Sequence, residues 1–348
     1  MSLIQSISRN IYSVDKKAME QTKARWDSLI HPTGSLGKLE DLSIKLAGIY
    51  GNDKFDIDKK VIIAFGGDHG VHAQGVASDK QEITKMNFPN FTKGVSGVGT
   101  ISKFVGADVV AVDVGINTDE KMDGVLDYKI RKGTSDMMLG PAMTKEEAIK
   151  SIEVGIEVAE RYIVNDYKVI GVGEMGIGNT TPATAILAVI SGCDPSEITD
   201  RGAGLDPSKL GHKAQVIRNA IELNNPNPTD GIDVLHKVGG FEIGAMVGVI
   251  LGCSANRTPI VLDGFISYSA ALIAKKINPK VMDYIIASHR SAELGSKKAI
   301  ETLGIEPFLD MDMRLGEGSG AAIAFNILDM SVHTYKHMAT FQEIGMVR

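Results

Sequence analysis

Cysteine is nearly absent from this sequence: 348 residues hold two, Cys193 and Cys253. Placed so far apart, they exclude a disulfide framework and offer no metal-ligand spacing. Positive charge is also short, with 37 Lys and Arg against 43 Asp and Glu and a formal net charge of −6. That balance argues against a protein that coats nucleic acid, because a phosphate backbone demands clustered basic residues. Long apolar runs are missing too. Met175–Cys193 is free of charge but is interrupted by Asn179, Thr180, Thr181, Pro182 and Thr184. Ile243–Asn256 falls short of the ~20 residues that span a bilayer. The start, MSLIQSISRNIYSVDKKAM, mixes charges into a helical pattern and lacks the apolar core of a signal peptide. A cytoplasmic protein without membrane contact is expected.

Glycine, by contrast, is abundant: 38 residues, against a usual share of about 7%. It shows neither a collagen period nor a low-complexity tract. The first fifty residues read as helical, with Leu36, Leu39, Leu42, Ile44 and Leu46 on one face and a Pro32–Gly37 turn before it. Short Val- and Ile-rich runs then alternate with longer helical stretches: Val61–Phe65, Val109–Val114, Val169–Val172, Ile260–Leu262 and Tyr284–Ala287. Continuous apolar strands separated by helices predict a parallel sheet covered on both faces, an α/β fold. Thr144 and Glu147 form a capping-box signature for a helix reaching about Ile163. The stretch after Asp329 returns to helical mixed polarity. It is expected to join the N-terminal helices in a small helical domain, residues 1–54 plus 329–348, beside a large α/β domain of residues 55–328.

Ligands of open parallel sheets bind beyond the carboxyl ends of the strands. Those ends are decorated here: Gly66-Gly67-Asp68-His69 after the first run, Asp263-Gly264-Phe265 after the fourth, Ser288-His289-Arg290-Ser291 after the fifth. Singly, such residues turn the chain or cap helices; at equivalent strand ends they suggest a shared site. The densest segment, Gly171-Val172-Gly173-Glu174-Met175-Gly176-Ile177-Gly178-Asn179-Thr180-Thr181, contains a literal G-x-G-x-x-G with Asp194 about twenty residues on. A dinucleotide site is one reading. However, the motif falls mid-chain and Asp194 reads as a turn or helix cap. The more general reading is a phosphate held by glycine-exposed N–H groups and threonine hydroxyls before a helix N-terminus. Glu174 is anomalous there, since a carboxylate repels phosphate. Lys213 is a candidate counter-charge, although a lysine in a polar stretch is ordinarily solvated surface.

A second segment, Arg314-Leu315-Gly316-Glu317-Gly318-Ser319-Gly320, places Glu317 between glycines ahead of a small-residue helix. Helix capping is the plain reading. The functional reading is a general base, with the glycines admitting a flat substrate and partial burial lifting the carboxyl pKa.

Taken with Pro32–Glu40, Asp68–Val71, Gly140–Thr144, Val238–Ile243 and Ala287–Ser291, these segments resemble the nicotinate-nucleotide:dimethylbenzimidazole phosphoribosyltransferase family of cobalamin synthesis, nearly end to end. The resemblance implies a Rossmann-like parallel sheet flanked by helices, a small helical domain and a homodimer. It implies transfer of the phosphoribosyl group of nicotinate mononucleotide to 5,6-dimethylbenzimidazole, with small molecules as partners and neither cofactor nor metal. Glu317 is the implied base and Glu174 a secondary polar group. Gly176, Ile177, Gly178, Asn179, Thr180, Lys213, Ser288, Arg314, Leu315 and Gly316 are the implied substrate contacts. Asp79, Met86, Asn87 and Phe88 are expected around the aromatic base. There the chain departs from its relatives, with Asp79-Lys80 in place of an aromatic residue or serine followed by proline, and no Gln-Met pair near Met86. The preferred acceptor therefore stays open among dimethylbenzimidazole, other benzimidazoles, adenine and phenols. Two other functions remain to be weighed: a dinucleotide-dependent oxidoreductase and a non-catalytic nucleotide-binding subunit.

Overall fold

The apolar runs do form strands. In the computed structural model, which describes residues 2–346, six of them build one sheet. They are β1 (Lys60–Gly67), β2 (Asp108–Gly115), β3 (Val125–Asp127), β4 (Val169–Met175), β5 (Ile260–Leu262) and β6 (Ile285–Ala287). All neighbours are parallel, in the order β3-β2-β1-β4-β5-β6. Two further short strands, β7 (His289–Arg290) and β8 (Leu309–Asp310), pair beside it. The fold is α/β as expected, and its strand order is that of the doubly wound nucleotide-binding sheets.

Alternation along the strands divides the core in two. Val61, Ile63 and Phe65 of β1 face one cluster with Val112, Ile170 and Val172, while Ile62 and Ala64 face another with Ala111 and Val261. Helices Lys145–Val164 and Phe241–Ala255 cover the first face. Helices Lys38–Tyr50, Gly97–Phe104 and Ser319–His337 cover the second. Burial on both sides explains why these strands carry no polar alternation. The Thr144–Glu147 capping box is present, with Glu147 Oε2 accepting the Thr144 N–H at 2.8 Å.

Not all the excess glycine serves strand ends. Gly155 lies where a Cβ would strike the carbonyl of Ala245, and Gly248 would strike that of Ile152. These two let helices Lys145–Val164 and Phe241–Ala255 approach backbone to backbone over the sheet.

The two ends of the chain meet. Trp26, Leu29 and Tyr335 share a small apolar cluster, Trp26 Nε1 donates to Ser43 Oγ at 2.8 Å, and Leu29 bridges to Thr340. Helix Ser319–His337 runs unbroken through residue 329, with Phe325 against the sheet and Tyr335 against the N-terminal helices. Ile4 and Ile7 of the first helix pack with the large core. Among the described residues, no helix is long and apolar enough to cross a membrane.

Candidate active site

A cleft of about 350 Å³ opens at the carboxyl ends of β4 and β5. Its walls bring together the two glycine-rich segments, Gly173–Thr180 and Arg314–Glu317, with Asp263, His289, Ser291 and Glu293. The path of the chain explains why they converge. Gly173 presents no Cβ toward the helix that covers β4, and any Cβ there would collide with the carbonyl oxygen of Glu317. Gly171, on the same strand face, is filled by Ile62 and Phe325. The first two glycines of the G-x-G-x-x-G therefore lie inside β4, Gly173 admitting the Glu317 turn and Gly171 the helix after it, rather than opening a phosphate-binding turn as in a dinucleotide site. Only Gly176 lies beyond the strand, where it packs against the carbonyl of Gly67. Asp194, likewise, caps the short helix Pro195–Ile198 through the Ser196 N–H.

Glu317 occupies a turn of three successive left-handed residues, Gly316 (φ 81°), Glu317 (φ 65°) and Gly318 (φ 97°). Positive φ at a glutamate is uncommon and costs on the order of 1–3 kcal/mol. Here the surroundings enforce it. The buried carboxylate of Asp263, at the end of β5, accepts the N–H of Gly318 at 3.0 Å and of Gly320 at 2.7 Å. Glu317 Oε2 accepts the Val98 N–H at 3.1 Å, and Oε1 lies 3.4 Å from Asn87 Nδ2. Burial pushes the Glu317 carboxyl above its usual range; the bonds from Val98 and Asn87 restrain the rise. A moderately basic carboxylate, open to the cleft, results.

Glu174 is buried beside it and accepts from Asn179 Nδ2. Burial, reinforced by Asp263 and Glu242, pushes its carboxyl up to about 8. At neutral pH it is therefore mostly protonated, which removes the repulsion that made a glutamate anomalous beside a phosphate loop.

The remaining sequence-predicted residues separate by position. Gly176, Ile177, Gly178, Asn179, Thr180, Arg314, Leu315, Gly316, Asp79 and Asn87 line the cleft. Lys213 lies behind its wall, almost fully buried, with Nζ donating to Thr180 Oγ1 at 2.7 Å and to the Asp200 carbonyl at 2.9 Å. Burial lowers its pKa to about 8. Ser288 is also behind the wall, its hydroxyl donating to the Asp263 carbonyl at 3.0 Å. Phe88 lies in the core with Phe91 and Ile116, and Met86 is exposed outside the cleft lining. The Ile177 N–H is committed to Thr84 Oγ1 (3.2 Å), which in turn donates to Asp68 (2.8 Å). At the start of helix Thr180–Ser191 the Thr181 N–H is turned back to the Gly178 carbonyl (3.0 Å) and Pro182 has none, so the anion-binding capacity there lies in the Thr180 hydroxyl and the positive end of the helix.

The sequence marks Gly202–Gly211 as one of the glycine clusters where backbone comes close to a ligand but singles out no side chain in the segment Asp200–Gly204, which contributes Arg201, Gly202 and Ala203 to the cleft. Its only local signal was the glycine pair Gly202 and Gly204. Sequence reasoning also passed over the clamp formed by Asp263, although the aspartate had been noted at its strand end.

A parallel sheet thus brings a helix start and a buried carboxylate to one cleft, an arrangement suited to a nucleotide-type ligand. A phosphoribosyltransferase family model matches residues 11–346, and the chain belongs to this family. It is 70% identical, over the full length of both chains, to the nicotinate-nucleotide–dimethylbenzimidazole phosphoribosyltransferase of Clostridioides difficile strain 630. It is 50% identical, over 99% of each chain, to the enzyme of that name in Alkaliphilus metalliredigens. The crystal structure of CobT from Thermus thermophilus superposes with a TM-score of 0.90, at 36% identity, covering 95% of this chain and 99% of that one.

Proposed function

We infer that the protein transfers the phosphoribosyl group of nicotinate mononucleotide to 5,6-dimethylbenzimidazole or a related flat base, releasing nicotinate and forming an α-riboside 5′-phosphate. The observation that carries this reading is the location of Glu317 in one cleft with the helix start at Thr180, in a chain so close to named enzymes of this activity.

The chemistry follows from the residues. The glycosidic nitrogen of nicotinate mononucleotide is a pyridinium, so nicotinate departs with the bonding pair and needs no acid. The incoming base is the sluggish partner. One ring nitrogen attacks the anomeric carbon while the other must lose its proton, and Glu317 accepts it. Attack opposite the leaving group inverts the β-linkage to α. The carboxylates of Glu317 and Asp263 also favour the positive charge that develops on the ribose. The Gly176–Thr180 segment, with Lys213 behind Thr180, holds the 5′-phosphate and so aligns the anomeric carbon. Asn87 and Asp79 border the space for the base. Met86 and Val95 are exposed on the segment that carries Asn87 and Val98 to Glu317, and supply apolar surface for the contact of a homodimer. The two free cysteines suit a reducing, cytoplasmic setting.

Incubating the protein with nicotinate mononucleotide and dimethylbenzimidazole, and following nicotinate by chromatography, tests the reading. Stoichiometric nicotinate and riboside phosphate are expected; no nicotinate with any of several flat bases would sink it.

A further inference from the structure

The cleft presents an electrostatic mismatch. Its lining carries five acidic side chains, Asp79, Glu174, Asp263, Glu293 and Glu317; even with Glu174 protonated the other four outnumber the basic ones, and a phosphate monoester brings further negative charge. Lys213 is a weak counterweight: it is shifted to about 8, sits behind the wall, and spends its N–H groups on Thr180 and Asp200. His289 is held below its usual pKa by burial and stays neutral. Among the lining residues, the side chains that keep a permanent positive charge are Arg201 and Arg314.

Both bear on one structure, the loop from Asp200 to Leu205: Arg201 lies in it and Arg314 bonds to it. Arg201 is exposed and lines the cleft, its Nε donating to the Leu205 carbonyl at 2.9 Å and its terminal nitrogens making no hydrogen bond among the described residues. Arg314, which Glu293 faces, spends Nη1 on the Gly202 carbonyl at 3.1 Å and thereby pins the loop from the opposite wall. Asp200 ties the loop to the Leu294 N–H at 2.8 Å, and Ser78 reaches the Gly204 carbonyl at 3.4 Å. The result places Gly202 against the Thr180 hydroxyl. The loop therefore packs on the start of helix Thr180–Ser191, the positive end of that helix.

We propose that Arg201 is a ligand of the substrate's 5′-phosphate, closing over it from the 200–205 loop against the Thr180 helix start, with Arg314 holding the loop in place. This rests on the phosphoribosyltransferase reading and extends it to a residue outside the glycine motifs. A guanidinium suits the role because it stays charged at every working pH and meets phosphate oxygens with paired N–H groups. Asp206 beside Arg201 is exposed and interacts with its charge, a solvent-screened pairing that leaves the guanidinium able to meet a phosphate.

The test compares nicotinate mononucleotide with nicotinate riboside, which lacks only the phosphate, in wild type, Arg201→Gln and Arg201→Lys. Loss of one charge-assisted contact predicts a fall of about 10- to 100-fold in kcat/KM for the mononucleotide in Arg201→Gln, carried by KM. The riboside should be unaffected, and Arg201→Lys should recover part of the loss. Equal losses for both substrates, or none for either, would overturn the assignment. Calorimetric binding of the two compounds gives the same comparison without turnover. A wild type that binds the mononucleotide more tightly than the riboside yet releases no nicotinate would fault the reaction and leave the arginine test standing.

Discussion

Asp263 grips the chain immediately after Glu317. One carboxylate oxygen takes the N–H of Gly318 and the other that of Gly320, and the glutamate between glycines is thereby fixed in a left-handed conformation. The capping reading and the catalytic reading of this segment are thus both realised, by different residues: Asp263 caps helix Ser319–His337, which frees the Glu317 carboxylate to face the cleft.

Replacing Asp263 by Asn sets a side-chain amide against backbone N–H groups and leaves one of them unpaired. The loss of a buried charged acceptor predicts a fall in kcat of about 10- to 100-fold. The KM for nicotinate mononucleotide should move far less, because the Thr180 end of the cleft is untouched. Steady-state kinetics separates the two parameters, and an unchanged kcat would detach Asp263 from the positioning of Glu317.

Gly173→Ala tests the same turn from the other side. Its Cβ would strike the carbonyl of Glu317 inside a packed layer. Overpacking of this kind costs about 1–3 kcal/mol. A lower Tm together with a lower kcat is expected, whereas a lower Tm alone would mean that the turn shifts without moving the carboxylate.

Much of this was legible in the sequence. β5 was located residue for residue, and β1, β2 and β4 were each recognised from their apolar centres and lengthen by a few residues at one or both ends. Apolar runs buried on both faces carry a strong signal, and the glycine words fixed Gly176–Thr180 and Glu317 at one site. What the sequence withheld depends on side-chain direction. Phe88 belongs to the core and Met86 to the surface, although both adjoin Asn87, which reaches Glu317. β3, β7 and β8 are too short to carry a pattern. The protonation of Glu174 follows from its burial, and then from Asp263 and Glu242, which are remote in the chain.

The pH dependence of substrate binding should reveal that protonation. Glu174 and Lys213 both titrate near 8. Above that pH the first gains a negative charge and the second loses a positive one, and each change weakens phosphate binding. The KM for the mononucleotide should therefore rise through pH 8, with a flatter rise in Glu174→Gln. In Lys213→Met the KM should already be high at pH 7. An alkaline limb of KM that is identical in all three proteins would contradict the assignment.

Stability carries a related signature. The folded protein holds the Glu174 proton up to about pH 8, whereas the unfolded chain releases it near 4.5. The folded state binds more protons across that window, so this group's contribution to stability declines as pH rises through it. Thermal unfolding between pH 5.5 and 8 should show a smaller decline of Tm for Glu174→Gln than for wild type; parallel curves would place the Glu174 pKa in the ordinary range.

The central claim is that Glu317 takes the proton of the incoming base. Glu317→Gln keeps the shape of the side chain and removes its basicity. Single-turnover release of nicotinate from saturating mononucleotide and dimethylbenzimidazole measures the chemical step directly. A rate lowered roughly 10²- to 10⁴-fold, with mononucleotide affinity retained, is the predicted result. A rate within a few-fold of wild type would contradict it.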